Sequence, residues 1–260
     1  MVIGVLNVTP DSFSDGGDFF SFDAAISRAE QMRQDGAEII DVGGESTRPG
    51  AQRISEETEI ERVMPVITEL AKRDFFLSVD TMRASVATAA LSAGARMVND
   101  VSGGRADDAM FEVVAKTGVP YVLTHWRAPS ASMDSFANYE DVTGQVLNET
   151  NAQIARAKQA GVLTSQLIID PGFGFAKDVA QNWQLLRDLS DLIAIGFPLL
   201  IGVSRKRFVA SLLPAEQQSD NGLKDLAGAA IAALAVTKGV WGVRTHDPAG
   251  VRRAIKSLRP

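Results

Sequence analysis

The chain of 260 residues contains no cysteine. That excludes a thiolate nucleophile, a disulfide framework and every cysteine-based zinc site. Histidine is nearly as scarce. Only His125 and His246 are present, too far apart for the HExxH helix of a zinc hydrolase. No apolar run approaches the roughly 20 residues needed to span a bilayer, so no membrane function is expected. The opening Met1-Val2-Ile3-Gly4-Val5 has no basic segment and enters a strand pattern at once. It does not read as a secretory signal, which predicts a cytoplasmic protein. Basic charge is in short supply too, with 26 Lys and Arg against 32 Asp and Glu and a net charge of -6. No nucleic acid partner is expected, and any anionic ligand must be met by a local group of cations.

What the chain does have is rhythm. Eight times an apolar run stops on a polar residue: Asn7, Asp41, Asp80, Asn99-Asp100, His125, Asp170, Ser204 and His246. Amphipathic stretches fill the intervals, as in Ile60, Val63, Met64, Ile67 and Leu70. Strands are predicted near 2–6, 37–42, 75–80, 95–100, 119–124, 166–170, 198–203 and 241–245. Asp23 is expected to open the first helix, and Ser55 with Glu57-Thr58 the second. The pattern predicts an α/β fold, a (β/α)₈ barrel of one domain over residues 1–260. In such a barrel the active site lies where strands end, and four of the eight stops supply an aspartate. The chain reads as an enzyme on that ground alone.

Strand ends that are distant in sequence meet at one rim of a barrel. Asp80, Asn99, Asp170 and Lys206 could therefore address one ligand. Carboxylates and an amide suit a flat ring with adjacent N–H groups, and a lysine suits its carbonyl or ring nitrogen, at about 1.5–3 kcal/mol per charged hydrogen bond. The alternative is four unrelated strand-end caps. On the last strand, Arg244 and His246 share one face, beside Asn7 at the end of the first. Arg, His and an amide oxygen would suit a diphosphate with its Mg²⁺; a surface pair balancing Asp247 is the alternative. The run Gly172-Phe173-Gly174-Phe175-Ala176-Lys177 is a poor phosphate loop, since GxxxxGK[ST] is not met. Its glycines more simply permit close backbone approach and expose Phe175. Nothing requires Lys177 or Lys206 to form a Schiff base. Ser204 lacks the G-x-S-x-G setting of a hydrolase nucleophile.

Two strand-end loops, 7–17 and 43–50, are too long and glycine-rich for minimal turns, and suggest lids. Their motifs NVTPDSFSDGG and GGESTRPG, with LSVDTMRA (77–84), AGARMVNDVSGG (93–104), IIDPGFGFAK (168–177), IGVSRKRF (201–208) and GVRTHD (242–247), resemble the dihydropteroate synthase family. They run through nearly the whole chain in family order, and THWR with SRKRF looks most like actinobacterial members. The resemblance implies condensation of hydroxymethyl-dihydropterin diphosphate with p-aminobenzoate, giving dihydropteroate and diphosphate. It implies a homodimer, and competition by sulfonamides. It places pterin contacts on Asp80, Asn99, Asp170 and Lys206, diphosphate contacts on Arg244 and His246, and Mg²⁺ on Asn7. Thr47, Arg48 and Pro49 would close over p-aminobenzoate, with Phe175 as an aromatic wall. Lys206, Arg244, His246, Asp80 and Asp170 are the expected catalytic set.

An arylamine is already a usable nucleophile, so a dissociative displacement needs no strong base, and none is evident. Three departures stand out. Family members often carry a hairpin before the first strand, so the barrel floor is expected to be covered differently here. Thr124 stands where a methionine commonly packs on the pterin. Arg207 replaces a common serine and is expected to hold the p-aminobenzoate carboxylate. A pterin-binding paralogue without turnover, or a pterin-dependent methyltransferase of the same barrel, are the competing readings. The first should have lost a loop or the Arg-His pair, and the second has no use for STRPG.

Overall fold

The structure, a computed structural model, describes residues 1–9, 22–46 and 50–258. Eight parallel strands alternate with helices: β1 (Val2–Asn7), α1 (Phe22–Gln34), β2 (Ile39–Gly43), α2 (Glu56–Lys72), β3 (Leu77–Asp80), α3 (Ala84–Ser92), β4 (Met97–Asp100) and α4 (Met110–Thr117). There follow β5 (Tyr121–Thr124), α5 (Val142–Gln159), β6 (Leu167–Asp170), α6 (Val179–Arg187), α7 (Leu189–Ile193), β7 (Leu200–Ile201), α8 (Arg207–Ala210), α9 (Asn221–Thr237), β8 (Gly242–Thr245) and α10 (Pro248–Ser257). The strand order is β6-β5-β4-β3-β2-β1-β8-β7. A bridge between Ile169 and Leu199 joins the two ends, so the sheet closes as the predicted barrel. Among the described residues no helix is long and apolar enough to cross a membrane.

The strand alternation sorts the apolar residues into two cores. Residues such as Ile40, Val42, Leu77, Val79, Leu123 and Ile169 face outward and pack under the helices. Ile3, Ile39, Met97, Val122, Ile168 and Leu200 face inward and form a separate layer across the barrel, with Trp241 packed against it. Helix α2 illustrates the outer packing. Ser55 caps it by accepting from the Thr58 N–H, and Val63, Ile67 and Leu70 are buried on one face, with Ile60 and Met64 half-buried beside them.

All eight strands fall where the apolar runs lie, but several start about two residues late. Phe75 is buried, yet its N–H goes to Leu70 O and closes the end of α2 instead of joining a ladder. The larger difference is β7, expected over 198–203 and reduced to two residues. Past Ile201 the chain turns, with the Lys206 N–H on Val203 O and Arg205 in the left-handed region at φ 59°. Apolar residues cannot reveal that turn, because Val203 is as buried inside it as it would be in a strand.

Candidate active site

One rule of strand geometry builds the site. Side chains two apart on a strand point the same way. Two residues beyond each inward floor residue therefore comes another inward residue, one layer nearer the mouth. Ile39 is followed by Asp41, Met97 by Asn99, Val122 by Thr124, Ile168 by Asp170 and Leu200 by Gly202. Asp80 follows Ser78 in the same way. An apolar layer thus carries a largely polar ring above it, interrupted by Val5 after Ile3 and by Gly202.

Arg244 ties the ring together. Its Nε donates to Asp41 Oδ2 at 2.6 Å, and its Nη2 donates to Asp80 Oδ2 at 2.6 Å. Asn99 Nδ2 donates to the same Asp41 oxygen at 2.9 Å. Gly202 lies between Asp170 and Arg244: a Cβ there would sit 3.9 Å from both Asp170 Oδ2 and Arg244 Cβ. Asp170 and Arg244 therefore face one cup. Burial raises the Asp80 carboxyl above the usual carboxylate range, with Arg244 pulling it back. Burial raises Asp170 too, opposed by the Gly172 N–H that it accepts at 2.8 Å. Burial works against the Arg244 charge, but Asp41 and Asp80 outweigh it and hold the guanidinium protonated.

Lys206 follows the turn after β7. Its ammonium lies 3.9 Å from the centre of the Phe175 ring, within cation–π range. Burial, and then the charge of Arg244, lower Lys206 to about 8, against the pull of Asp170 and Asp80. The loop that carries Phe175 needs its glycines. A Cβ at Gly172 would meet His125 O at 2.2 Å, and one at Gly174 would meet Lys206 Cδ at 2.8 Å, with both residues at positive φ. Lys177 is the loop's fastener. Its Nζ donates to Gly172 O and Phe175 O at 3.0 and 3.1 Å and faces His125 Nδ1 at 3.0 Å. Burial, then the Lys177 charge, lower His125 to about 3. Its ring is thus neutral, accepting at Nδ1 and donating from Nε2 to Glu149 at 2.9 Å. The two lysines that read alike in sequence divide cleanly: Lys177 holds backbone, and Lys206 faces the cup.

A cavity of about 700 Å³ opens above the ring, lined among others by Asn7, Lys206, Arg207, Arg244 and His246. Asp41, Asp80, Asn99 and Asp170 are not among its walls; Arg244 and Lys206 form the wall on that side. His246 Nδ1 lies 3.0 Å from Ser204 Oγ, which also accepts the His246 backbone N–H at 3.2 Å. Ser204 is thus a brace for the imidazole. Arg207 lines the cavity, but its guanidinium is held by both oxygens of Asp134, at 3.1 and 2.5 Å. A second cavity of about 450 Å³ has Phe175, Met82, Val101 and Trp126 in its walls. Among the described residues no group of three His, Asp or Glu side chains could cage a metal ion. Asn7 offers one hard oxygen donor at the cavity wall beside Arg244 and His246. That donor set suits Mg²⁺ brought in with phosphate oxygens, since Mg²⁺ is commonly held by one or two protein ligands plus substrate.

Of the expected residues, Asp80, Asn99, Asp170, Lys206, Arg244, His246, Asn7, Phe175 and Arg207 all gather at this end of the barrel. Thr47, Arg48 and Pro49 lie outside the described residues, as does most of the first long loop. The sequence reading missed the part played by Asp41. It marked a strand end, but only the floor-plus-two rule places it in the ring. It also missed how the neck of the second loop is built. Arg83 Nη1 donates to Glu45 at 2.9 Å and to Glu59, while its Nη2 donates to Ile54 O at 2.5 Å.

The pterin binding enzyme family matches residues 3–246 of the chain. A dihydropteroate synthase of Mycobacterium leprae is 50% identical over 263 aligned residues, covering 99% of this chain and 91% of that protein. Among solved structures, Xanthomonas albilineans dihydropteroate synthase with 4-aminobenzoic acid superposes with a TM-score of 0.91 at 38% identity, covering 100% of this chain and 93% of the other. The Yersinia pestis dihydropteroate synthase in a sulfonamide drug complex gives 0.89 at 40% identity, covering 98% and 92%.

Proposed function

The chain belongs to the pterin binding enzymes and, among them, to the dihydropteroate synthases, which are transferases; on that premise we propose that it condenses hydroxymethyl-dihydropterin diphosphate with p-aminobenzoate. The observation that carries this reading is the meeting of an acidic ring and a cationic wall at one cup. Asp80, Asn99 and Asp170 lie below, and Arg244, Lys206 and His246 at the cavity.

The division of labour follows from charge. Asp80, Asn99 and Asp170 would take the N–H edge of the pterin, while Lys206 donates to its carbonyl or ring nitrogen. Lys206 must keep its proton for that bond, which it does below about 8. The C–O bond to diphosphate breaks first, its electrons leaving with the diphosphate, where Arg244 and His246 stabilise the developing charge. The methylene is left cationic, and the buried carboxylates of Asp80 and Asp170 favour positive charge on the ring beside it. The arylamine nitrogen then adds to the methylene and loses its proton. Mg²⁺ held by Asn7 would supply further neutralisation of phosphate charge. Thr47, Arg48, Pro49 and Phe175 would contact p-aminobenzoate, and Arg207 would hold its carboxylate after giving up Asp134.

The reaction is assigned to the cytoplasm and to a homodimer. Leu226 and Leu234, eight residues apart on α9 and 69% and 60% exposed, support a partner surface there. The sulfonamide complex of the Yersinia pestis relative supports the same drug class as competitors here. The decisive experiment incubates purified protein with Mg²⁺, the pterin diphosphate and p-aminobenzoate while diphosphate is measured. Release that depends on p-aminobenzoate is expected, with dihydropteroate as co-product; release without that dependence, or none, overturns the assignment.

A further inference from the structure

Asp41 is 1% exposed and carries two hydrogen bonds on one oxygen, from Arg244 Nε and Asn99 Nδ2. Its other oxygen, Oδ1, is buried with no hydrogen-bond partner among the described residues. A buried carboxylate oxygen left empty costs free energy, so its retention calls for a reason. Arg244 points to one. The Nε and Nη2 atoms of a guanidinium lie on one edge and fit the two oxygens of a single carboxylate side by side. Here that edge is split, with Nε on Asp41 and Nη2 on Asp80. Asp80 is also the carboxylate that the pterin needs.

We propose that Asp41 is the positioning residue of Arg244, and that its empty Oδ1 is a second seat for Nη2 when pterin takes Asp80. The inference rests on the pterin reading given above. Without ligand, Arg244 divides its edge between the two acids and walls off the ring. When the pterin N–H edge reaches Asp80, Nη2 shifts to Asp41 Oδ1 and the pair becomes side-on. Nε never leaves Asp41, and Asn99 keeps the carboxylate from rotating. Arg244 thus gives up one carboxylate without becoming an unpaired buried cation, and its remaining edge is presented to the diphosphate. The exchange is a change of partners only: no bond is made or broken covalently and no proton moves.

The test compares two ligands by calorimetry, 6-hydroxymethylpterin, which has the ring alone, and its diphosphate ester. In Asp41→Asn the pair of anionic seats is gone, so the ring alone must strip Arg244 of its last carboxylate. Its affinity is expected to fall about tenfold, the scale of one charged hydrogen bond. The ester brings its own anions for Arg244 and should lose less than about threefold. Equal losses for both ligands would reduce Asp41 to a structural role and overturn the proposal. Should Asp41→Asn not fold, Arg244→Gln decides. With no cation on Asp80, the ring alone should bind at least as tightly as to the unaltered protein while turnover of the ester collapses. Weaker binding of the ring alone in Arg244→Gln overturns the exchange. If the unaltered protein binds neither ligand, it is the pterin reading that fails, and the two failures are thereby told apart.

Discussion

The two layers inside this barrel share strands β2, β4 and β6, where they lie two residues apart, and both are largely buried, yet they are opposites. Ile3, Ile39, Met97, Val122, Ile168 and Leu200 need only one another's surface. Asp41, Asp80, Asn99, Asp170 and Arg244 need particular atoms in particular places. Burial of the first layer stabilises the fold at about 25 cal/mol per Å² of apolar surface. Burial in the second raises Asp80 and Asp170 and lowers the neighbouring Lys206, the mark of groups held where their charges are costly. The lower layer carries stability and the upper one chemistry. Substitutions should separate them.

The largest effect is expected in the upper layer. Lys206→Ala should cut turnover by at least about a hundredfold and weaken pterin binding by about 1–3 kcal/mol, the loss of one charged hydrogen bond. Its melting temperature should hardly move, because the side chain removed is a half-buried cation with no carboxylate at ion-pair distance among the described residues. Steady-state kinetics with calorimetry checks both, and near-normal kcat/KM would sink the assignment.

Next comes the opposite pattern in the floor. Met97→Ala should cost about 2–5 kcal/mol of stability through the cavity it leaves. At a temperature where the variant stays folded, kcat/KM should remain within a few-fold of the unaltered protein. A collapse of activity without loss of stability would mean that the layers are not separable.

Titration sharpens the contrast more gently. Lys206 is lowered to about 8, so it is charged below that pH and neutral above it. Activity should fall as pH rises through that value. Phe175→Leu removes the ring under the ammonium, worth about 0.5–2 kcal/mol to its charged form, and should move the alkaline limb down by about 0.4–1.5 pH units. A limb that stays in place would show that another group sets it.

The smallest change lies at the rim. Arg207 and Asp134 are 59% and 60% exposed as side chains, so losing their pair should cost less than about 1 kcal/mol. Arg207→Ala should raise KM for p-aminobenzoate several-fold and leave kcat and stability alone. An unchanged KM removes Arg207 from the binding of the carboxylate.

Much of this was open to reading in the chain itself. Six of the eight polar stops fall at or next to a strand end, while Asp41 lies within β2 and Ser204 beyond β7; the floor-plus-two spacing was present in Met97-Val98-Asn99 and Ile168-Ile169-Asp170. What escaped was anything that depends on partners. Asp41 and Asp80 look alike as strand ends, yet one is the anchor of Arg244 and the other its exchangeable contact. Lys177 and Lys206 look alike as lysines near glycine-rich turns, yet one is bonded to two carbonyl oxygens and the other lies over Phe175. The short β7 escaped for a related reason: Val203 has the same apolar character in a turn as in a strand.

Periodicity is a local property, so the order of residues alone determined that this chain makes a barrel and which side chains point into it. Which charge sits against which is not local. Asp41 and Arg244 are 203 residues apart and meet at 2.6 Å only because the sheet closes with β1 between their strands. A buried charge acquires its chemistry from the neighbours that replace water, and those neighbours were chosen by the closing of the barrel.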